Sequence, residues 1–216
     1  MQIVNSKEKL LIIGASGHGK VVADIALRMN RWNYIAFLDD KVLNSSMTID
    51  VIGKSSDAFT YCKDYDIFVA IGNNTIRETI QTELELAGAT IPILIHPNAI
   101  LGEQVEIAIG SVIMAGVVIN CCSKIGKGCI INTGSSLDHD NNIDDFVHIS
   151  PGVHLAGTVK VGKSTWIGIG STVSNNINIT SNCIMGAGAV VVKNITEAGI
   201  YVGIPAKNMK KEYLRT

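Results

Sequence analysis

Aromatic side chains are scarce in this chain, at 5% of 216 residues, so its core has to be filled by small aliphatics. Charge of one sign is equally lacking: 18 Lys plus Arg against 19 Asp plus Glu leave a formal net charge of −1. Such a balance carries neither the electrostatic footprint of a nucleic-acid binder nor a polybasic membrane patch. Long apolar runs are missing too. The first, Leu10–Ile13, follows Lys7, Glu8 and Lys9 and is too short for a signal-peptide core. Nothing approaches the roughly 20 apolar residues of a membrane span. Cys62, Cys121, Cys122, Cys129 and Cys183 are odd in number and contain no Cys-x-x-Cys pair. That usage fits reduced thiols in a cytoplasmic protein better than a disulfide framework or a zinc site, and no metal is expected.

Hydrophobic residues make up 47% and charged ones 17%, which excludes disorder, and 21 glycines point to many tight corners. From residue 101 an aliphatic recurs at every sixth position, from Leu101, Ile107 and Ile113 through to Met185 and Val191. The count is sixteen of sixteen, without an insertion. The position four residues after each is usually small, as at Ser111, Ser123, Cys129, Ser135, Thr165 and Ala189. A period of six fits neither a helix nor a simple strand. It predicts an all-β parallel solenoid over 98–195, in which each hexad is one side of a triangular coil and its aliphatic points inward. About five coils would stack, and stacking would supply the cooperativity. Residues 196–216 read as a C-terminal tail.

Residues 1–97 have another rhythm: strand Leu10–Ile13, the turn Gly14-Ala15-Ser16-Gly17-His18-Gly19, and a helix over Lys20–Met29. A second strand, Tyr34–Leu38, ends in Asp39 and Asp40. A third, Ile67–Ile71, runs into Gly72-Asn73-Asn74 and a helix from about Thr75 to Ala87, and Ile91–Ile95 reads as a fourth strand. This is the order of an α/β, Rossmann-like βαβ domain. Its glycines let the backbone approach a phosphate, and the helix N-terminus favours negative charge. A carboxylate ending the second strand can accept hydrogen bonds from a ribose or base. The spacing G-x-x-G-x-G departs from the dinucleotide fingerprint, which argues for a mononucleotide or nucleotide sugar over NAD; a plain structural turn is the other reading.

The hexads resemble those of the hexapeptide-repeat acyltransferases, whose coil is a left-handed parallel β-helix. Taken with Ile13–Gly19, Phe37–Asp40, Ala70–Asn74, Ile76-Arg77 and the ending Val202–Lys207, the chain resembles the nucleotide-sugar N-acetyltransferases of UDP-N-acetylbacillosamine and perosamine synthesis, with their sialic-acid O-acetyltransferase relatives. The likeness has a gap between about Asn44 and Thr60. It implies acetyl-CoA as cosubstrate, a nucleotide-activated amino sugar as acceptor, a role in bacterial glycan biosynthesis, and a homotrimer with active sites between subunits.

Acetyl transfer to an amine needs a base with a pKa near the working pH, and histidine supplies it. The solenoid offers His139, His148 and His154. His139 lies in Leu137-Asp138-His139-Asp140, with carboxylates on both sides to orient the ring. The resemblance assigns His139 as the catalytic base and Asp140 as the group that raises its basicity. It places His148, Ile169 and Ala187 against acetyl-CoA, and Ser16, Gly17, His18, Asp39, Asp40 and Gly72 against the nucleotide sugar. Cys121 and Cys122 have no His or carboxylate beside them in sequence, so an acyl-enzyme is not expected. Three rivals stay open: an O-acetyltransferase, a metal-dependent hydratase using the three histidines as ligands, and a non-catalytic scaffold.

Overall fold

A strand of consecutive large aliphatics can be buried only where both faces of its sheet are covered. The computed structural model, which describes residues 7–41 and 45–209, places Lys9–Ile13 (β1) in that position, with Leu10 to Ile13 at 0% exposure. The chain divides into two compact units, Met1–Pro97 and Asn98–Thr216. In the first, β1 pairs in parallel with Tyr34–Leu38 (β2) and with Asp66–Val69 (β5). Ile49–Gly53 (β4) continues the sheet beyond β2, and the short Ser45–Ser46 (β3) adds antiparallel at its edge. Helix α1 spans Gly17–Met29, three residues longer at its start than the apolar pattern alone predicts, and ends on Asn30 in the left-handed conformation. Helix α2 spans Asn74–Leu86, its first turn capped by the Asn73 side chain, which accepts from the Ile76 amide at 3.0 Å. The gap in the family likeness is filled by the β3–β4 hairpin and a 3₁₀ helix over Ser55–Tyr61.

The expected fourth strand over Ile91–Ile95 does not join this sheet. Only Leu94–Ile95 (β6) is extended as a strand, and the bridge between Asp66 and Thr90 falls just before the stretch. Pro92 is the physical reason: it has no N–H to give a ladder.

The second unit is a left-handed parallel β-helix of two-residue strands. Each strand pairs with the one eighteen residues away, as Val118 with Ser136 and His148 with Trp166. Three faces result. The first carries Ser136–Leu137 and His154–Leu155, the second Lys124–Ile125 and Asn142–Ile143, the third His148–Ile149 and Trp166–Ile167. Every sixth-position aliphatic from Ile113 to Val191 is buried, while Leu101, in the first coil with no coil beneath it, keeps 37% exposure.

The small position four residues on does more than fit a corner. Ser111 Oγ donates to Gly126 O at 2.7 Å and accepts from Cys129 N at 2.9 Å, and Ser123 and Thr165 repeat the bridge. A buried hydroxyl thus satisfies one carbonyl and one amide of the next coil, which removes the penalty of orphaned main-chain groups. The residues from 196, expected as a tail, instead carry two further strands. Ile200–Val202 stacks on Ile184–Met185, and Lys207–Asn208 folds back antiparallel. Lys210, Lys211 and Arg215 lie outside the described residues.

Ile149, at 0% exposure between Ile131 and Ile167, measures the stacking directly. Ile149→Ala should lower unfolding free energy by about 2–5 kcal/mol in denaturant titration; a loss well under 1 kcal/mol would mean the inward column does not hold the coil.

Candidate active site

Two groups of polar residues stand out, one in each unit. In the first unit, Ser16 is the N-cap of α1 with no side-chain capping bond, so the helix opens with amides that the Ser16 hydroxyl does not engage. At the end of β2, Asp39 is committed to the main chain: Oδ2 accepts from Ala15 N at 2.8 Å and Oδ1 from Lys41 N at 2.8 Å. It therefore braces the glycine turn against the second strand. Asp40 is exposed, and its Oδ1 accepts from Ser55 N at 3.2 Å. Arg77, 1% exposed, pins the opposite loop by donating to Ile71 O (2.9 Å), Gly72 O (3.2 Å) and Asn74 Oδ1 (2.8 Å).

Between these braces lies a cleft of about 470 Å³ lined by Gly14, Ser16, Asp39, Asp40, Ser55 and Gly72, among others. It brings together four of the six expected nucleotide-sugar residues. Gly17 and His18 stand beside it in the first turn of α1. An added side chain at Gly17 or at Gly72 would meet nothing within 4 Å, so both present bare backbone to open space. The His18 ring is inward, its Nε2 buried with no hydrogen-bond partner. Burial, reinforced by the Arg77 charge, pushes its pKa down to about 4, so the ring is neutral at pH 7. Ser55 was not foreseen; nothing in its local sequence distinguishes it from any polar turn residue.

In the second unit, His139 and Asp140 occupy the edge between the first and second faces. His139 Nδ1 lies 2.8 Å from Asp140 Oδ2, with side chains 54% and 57% exposed. That bond, then the charges of Asp138 and Asp140, raises the His139 pKa above its ordinary 6.5. Asp138 sets the turn beneath: its Oδ1 accepts from the His139 amide at 2.9 Å and from Asn120 Nδ2 at 2.9 Å, and these bonds, Asn120's first, lower its own pKa. Asn141, 1% exposed, ties the turn to the next coil by donating to Asp138 O and Ala156 O and accepting from Val159 N. Asp140 is left-handed at φ 56°, a conformation Asp tolerates better than most residues. The pair is thus a proton acceptor with its Nδ1 engaged by a carboxylate and its side chain half exposed.

His148 stands on the third face. Its ring stacks on Trp166 with centroids 5.7 Å apart at 7°, and Nε2 is 3.3 Å from Asn132 Nδ2. Ile169, 57% exposed, and Ala187 sit one coil apart on the edge between the third and first faces, where Gly188 N donates to Ile169 O at 2.8 Å. Within one chain, then, His139 and the Ile169–Ala187 edge are separated by a full side of the triangle. His154 is on that intervening face, its Nδ1 2.8 Å from Ser136 Oγ. The three histidines do not converge, and among the described residues no group of three or more His, Cys, Asp or Glu is placed to hold a metal ion.

Cys121 and Cys122, with no His or carboxylate beside them in sequence, turn out to lie one coil beneath His139 and Asp140: Asp140 N donates to Cys121 O at 3.1 Å. Desolvation, Cys121 and the Asp140 charge push the Cys122 thiol up, away from the thiolate a nucleophile requires. No helix among the described residues is long and apolar enough to cross a membrane.

Residues 9–84 match the family described as PglD N-terminal domain. The GDP-perosamine N-acetyltransferase of Escherichia coli O157:H7 is 33% identical over 157 residues, which are 70% of this chain and 70% of that protein. The acetyltransferase domain of PglB from Neisseria gonorrhoeae FA1090, solved also with acetyl coenzyme A, superposes with a TM-score of 0.92 at 39% identity, covering 94% of this chain and 100% of that one. PerB from Caulobacter crescentus, in complex with CoA and GDP-perosamine, superposes with a TM-score of 0.89 at 32% identity over 94% of this chain and 97% of its own. Mutants of the Caulobacter perosamine N-acetyltransferase with a histidine replaced by Asn or Ala are solved with the same two ligands. An α/β nucleotide-type cleft, a hexad β-helix and a relative one-third identical over most of both sequences agree: the chain belongs to the hexapeptide-repeat nucleotide-sugar N-acetyltransferases, a family of acetyl-CoA-dependent enzymes.

Proposed function

We propose that this protein transfers the acetyl group of acetyl-CoA to the amine of a nucleotide-linked amino sugar in bacterial glycan biosynthesis, with His139 as general base. The observation that carries this reading is the exposed His139–Asp140 pair at 2.8 Å on an edge of the β-helix. The acceptor nitrogen attacks the thioester carbonyl, and His139 Nε2 takes the proton that the nitrogen sheds. Collapse of the tetrahedral intermediate breaks the C–S bond, and the imidazolium returns the proton to the departing thiolate. Asp140 holds the ring and stabilises its charged form. No covalent enzyme intermediate is required.

In the first unit, the amides at the start of α1, Ser16 to His18, suit the diphosphate of a nucleotide sugar. The neutral, inward ring of His18 adds no charge beside it. Both Asp39 oxygens are held by main-chain amides, whereas Asp40 has one on Ser55 N, so Asp40 is the carboxylate better able to meet the ligand. For acetyl-CoA, the edge that bears Ile169 and Ala187 supports binding through its own chemistry. Its left-handed position is glycine in successive coils, at Gly116, Gly134, Gly152, Gly170 and Gly188, which leaves main chain open to the pantetheine amides. His148 stands on the face leading to that edge. The side of the triangle between this edge and His139 is most simply closed by a second copy, so the transfer site is assembled between protomers of a cytoplasmic homotrimer.

His139→Ala should reduce turnover by about 10²–10⁴-fold while calorimetry finds acetyl-CoA binding unchanged; near-normal turnover would remove the mechanism. An amino sugar set against its hydroxyl counterpart, both nucleotide-linked, separates N- from O-transfer in the same assay. The pH profile gives a second test. The base works unprotonated, so a raised His139 pKa puts the acidic limb of kcat/KM above pH 6.5. Asp140→Asn removes the largest cause of the raise and should move that limb to lower pH with a reduced plateau. An unmoved limb would show that the carboxylate is not coupled to the base.

A further inference from the structure

Most glycines in this β-helix have one of two ordinary reasons to be there, and Gly157 has neither. Gly152, Gly170 and Gly188 adopt left-handed φ values of 64°, 67° and 67°, which favour glycine. At Gly126 and Gly162 an added Cβ would strike main chain of the next coil at 2.7 Å and 2.5 Å. The φ of Gly157 lies outside the left-handed range, so an L-residue is compatible with its backbone. The atoms nearest a Cβ there all belong to one side chain. Its three nearest atoms are His139 Nε2 at 2.5 Å, Cε1 at 2.6 Å and Cδ2 at 3.1 Å.

Gly157 follows His139 by one coil, and the ladder through the pair is regular: Thr158 N donates to His139 O at 2.9 Å, and Asn176 N to Gly157 O at 3.0 Å. The imidazole therefore lies on the bare Cα of the coil above, and the edge in contact includes the nitrogen not bonded to Asp140. We infer that Gly157 is a positioning residue for the base: its missing side chain is the seat that keeps the His139 ring flat against the prism while Nδ1 reaches Asp140. A methyl group at 157 would leave the backbone in place and push the ring off that seat. The Nδ1–Asp140 bond would then be lost and Nε2 would swing away from its line of approach.

This inference rests on His139 being the base, and the experiment keeps the two claims apart. Gly157→Ala is compared with wild type, His139→Ala and the His139→Ala/Gly157→Ala double variant by thermal unfolding. Histidine side-chain NMR titration and kcat and KM complete the comparison. The expected result is a nearly unchanged melting midpoint, a His139 pKa that falls back toward its ordinary value, and kcat lower by about 10²-fold, as a misplaced catalytic group produces. KM for acetyl-CoA should change less than kcat. In the His139→Ala background the same substitution should have no further effect on rate, because the two act as one unit.

Wild-type kcat with an unshifted His139 titration in Gly157→Ala overturns the inference, as does an equal rate loss with and without the ring. If Gly157→Ala fails to fold, the double variant decides. With the ring gone the methyl has room, so the double should fold like His139→Ala, and a double that also unfolds overturns the seat. Full activity of His139→Ala itself would instead sink the base assignment.

Discussion

An aliphatic side chain turned inward at every sixth residue is the constraint from which the second unit's geometry follows. Because three such residues close a turn, each inward side chain lands on its equivalents eighteen residues before and after, as Ile131, Ile149 and Ile167 do. Their burial locks the register of everything that points outward. Glycine comes to lie over histidine at 157 and 139, cysteine under aspartate at 122 and 140, and tryptophan over histidine at 166 and 148. None of these outward pairs has to be strong; the inward column holds them together.

Corners are where such a prism is costly, since main-chain polar groups must be satisfied in little space. The chain answers with short hydroxyls and one amide, Ser111, Ser123, Thr165 and Asn141, each bonded to main chain of the next coil. It answers again with left-handed residues: an unbroken column of glycines from Gly116 to Gly188 on one edge, and side-chain-bearing residues such as Asp140 on the edge that carries His139. The two edges are thereby given different surfaces. One exposes main chain suited to a ligand's amides, and the other presents a titratable ring with its orienting carboxylate. The hexad repeat makes the scaffold uniform, and departures at the corners make it chemical.

Much of this can be read in the residues themselves. A six-residue period is so unlike helix or strand that the prism, its inward column and the small positions follow from Leu101 to Val191 alone. The order of strand, glycine turn, helix and acid likewise marks the α/β unit. What stays hidden depends on contacts between residues distant in sequence or on single main-chain groups. Pro92 interrupts a stretch whose composition reads as strand. Asp39 and Asp40 look equivalent in sequence, yet one has both oxygens on the amides of Ala15 and Lys41 while the other is exposed with one oxygen on Ser55 N. Ser55 enters the cleft from a segment with no pattern of its own. Cys121 and Cys122 seem isolated from any acid until the coil places them under His139 and Asp140. The eighteen-residue step from His139 to Gly157 was countable in advance; that the ring lies on the bare Cα was not.

Capturing the acceptor beside the base tests the account's central claim most directly. A crystal structure of the protein with CoA and a nucleotide-linked amino sugar should place the sugar nitrogen within about 3.2 Å of His139 Nε2. The CoA sulfur should reach the same point from the glycine edge of a neighbouring protomer. A sugar nitrogen bound far from His139, or a CoA whose sulfur ends away from that ring, would contradict the assignment of this edge as the site of transfer.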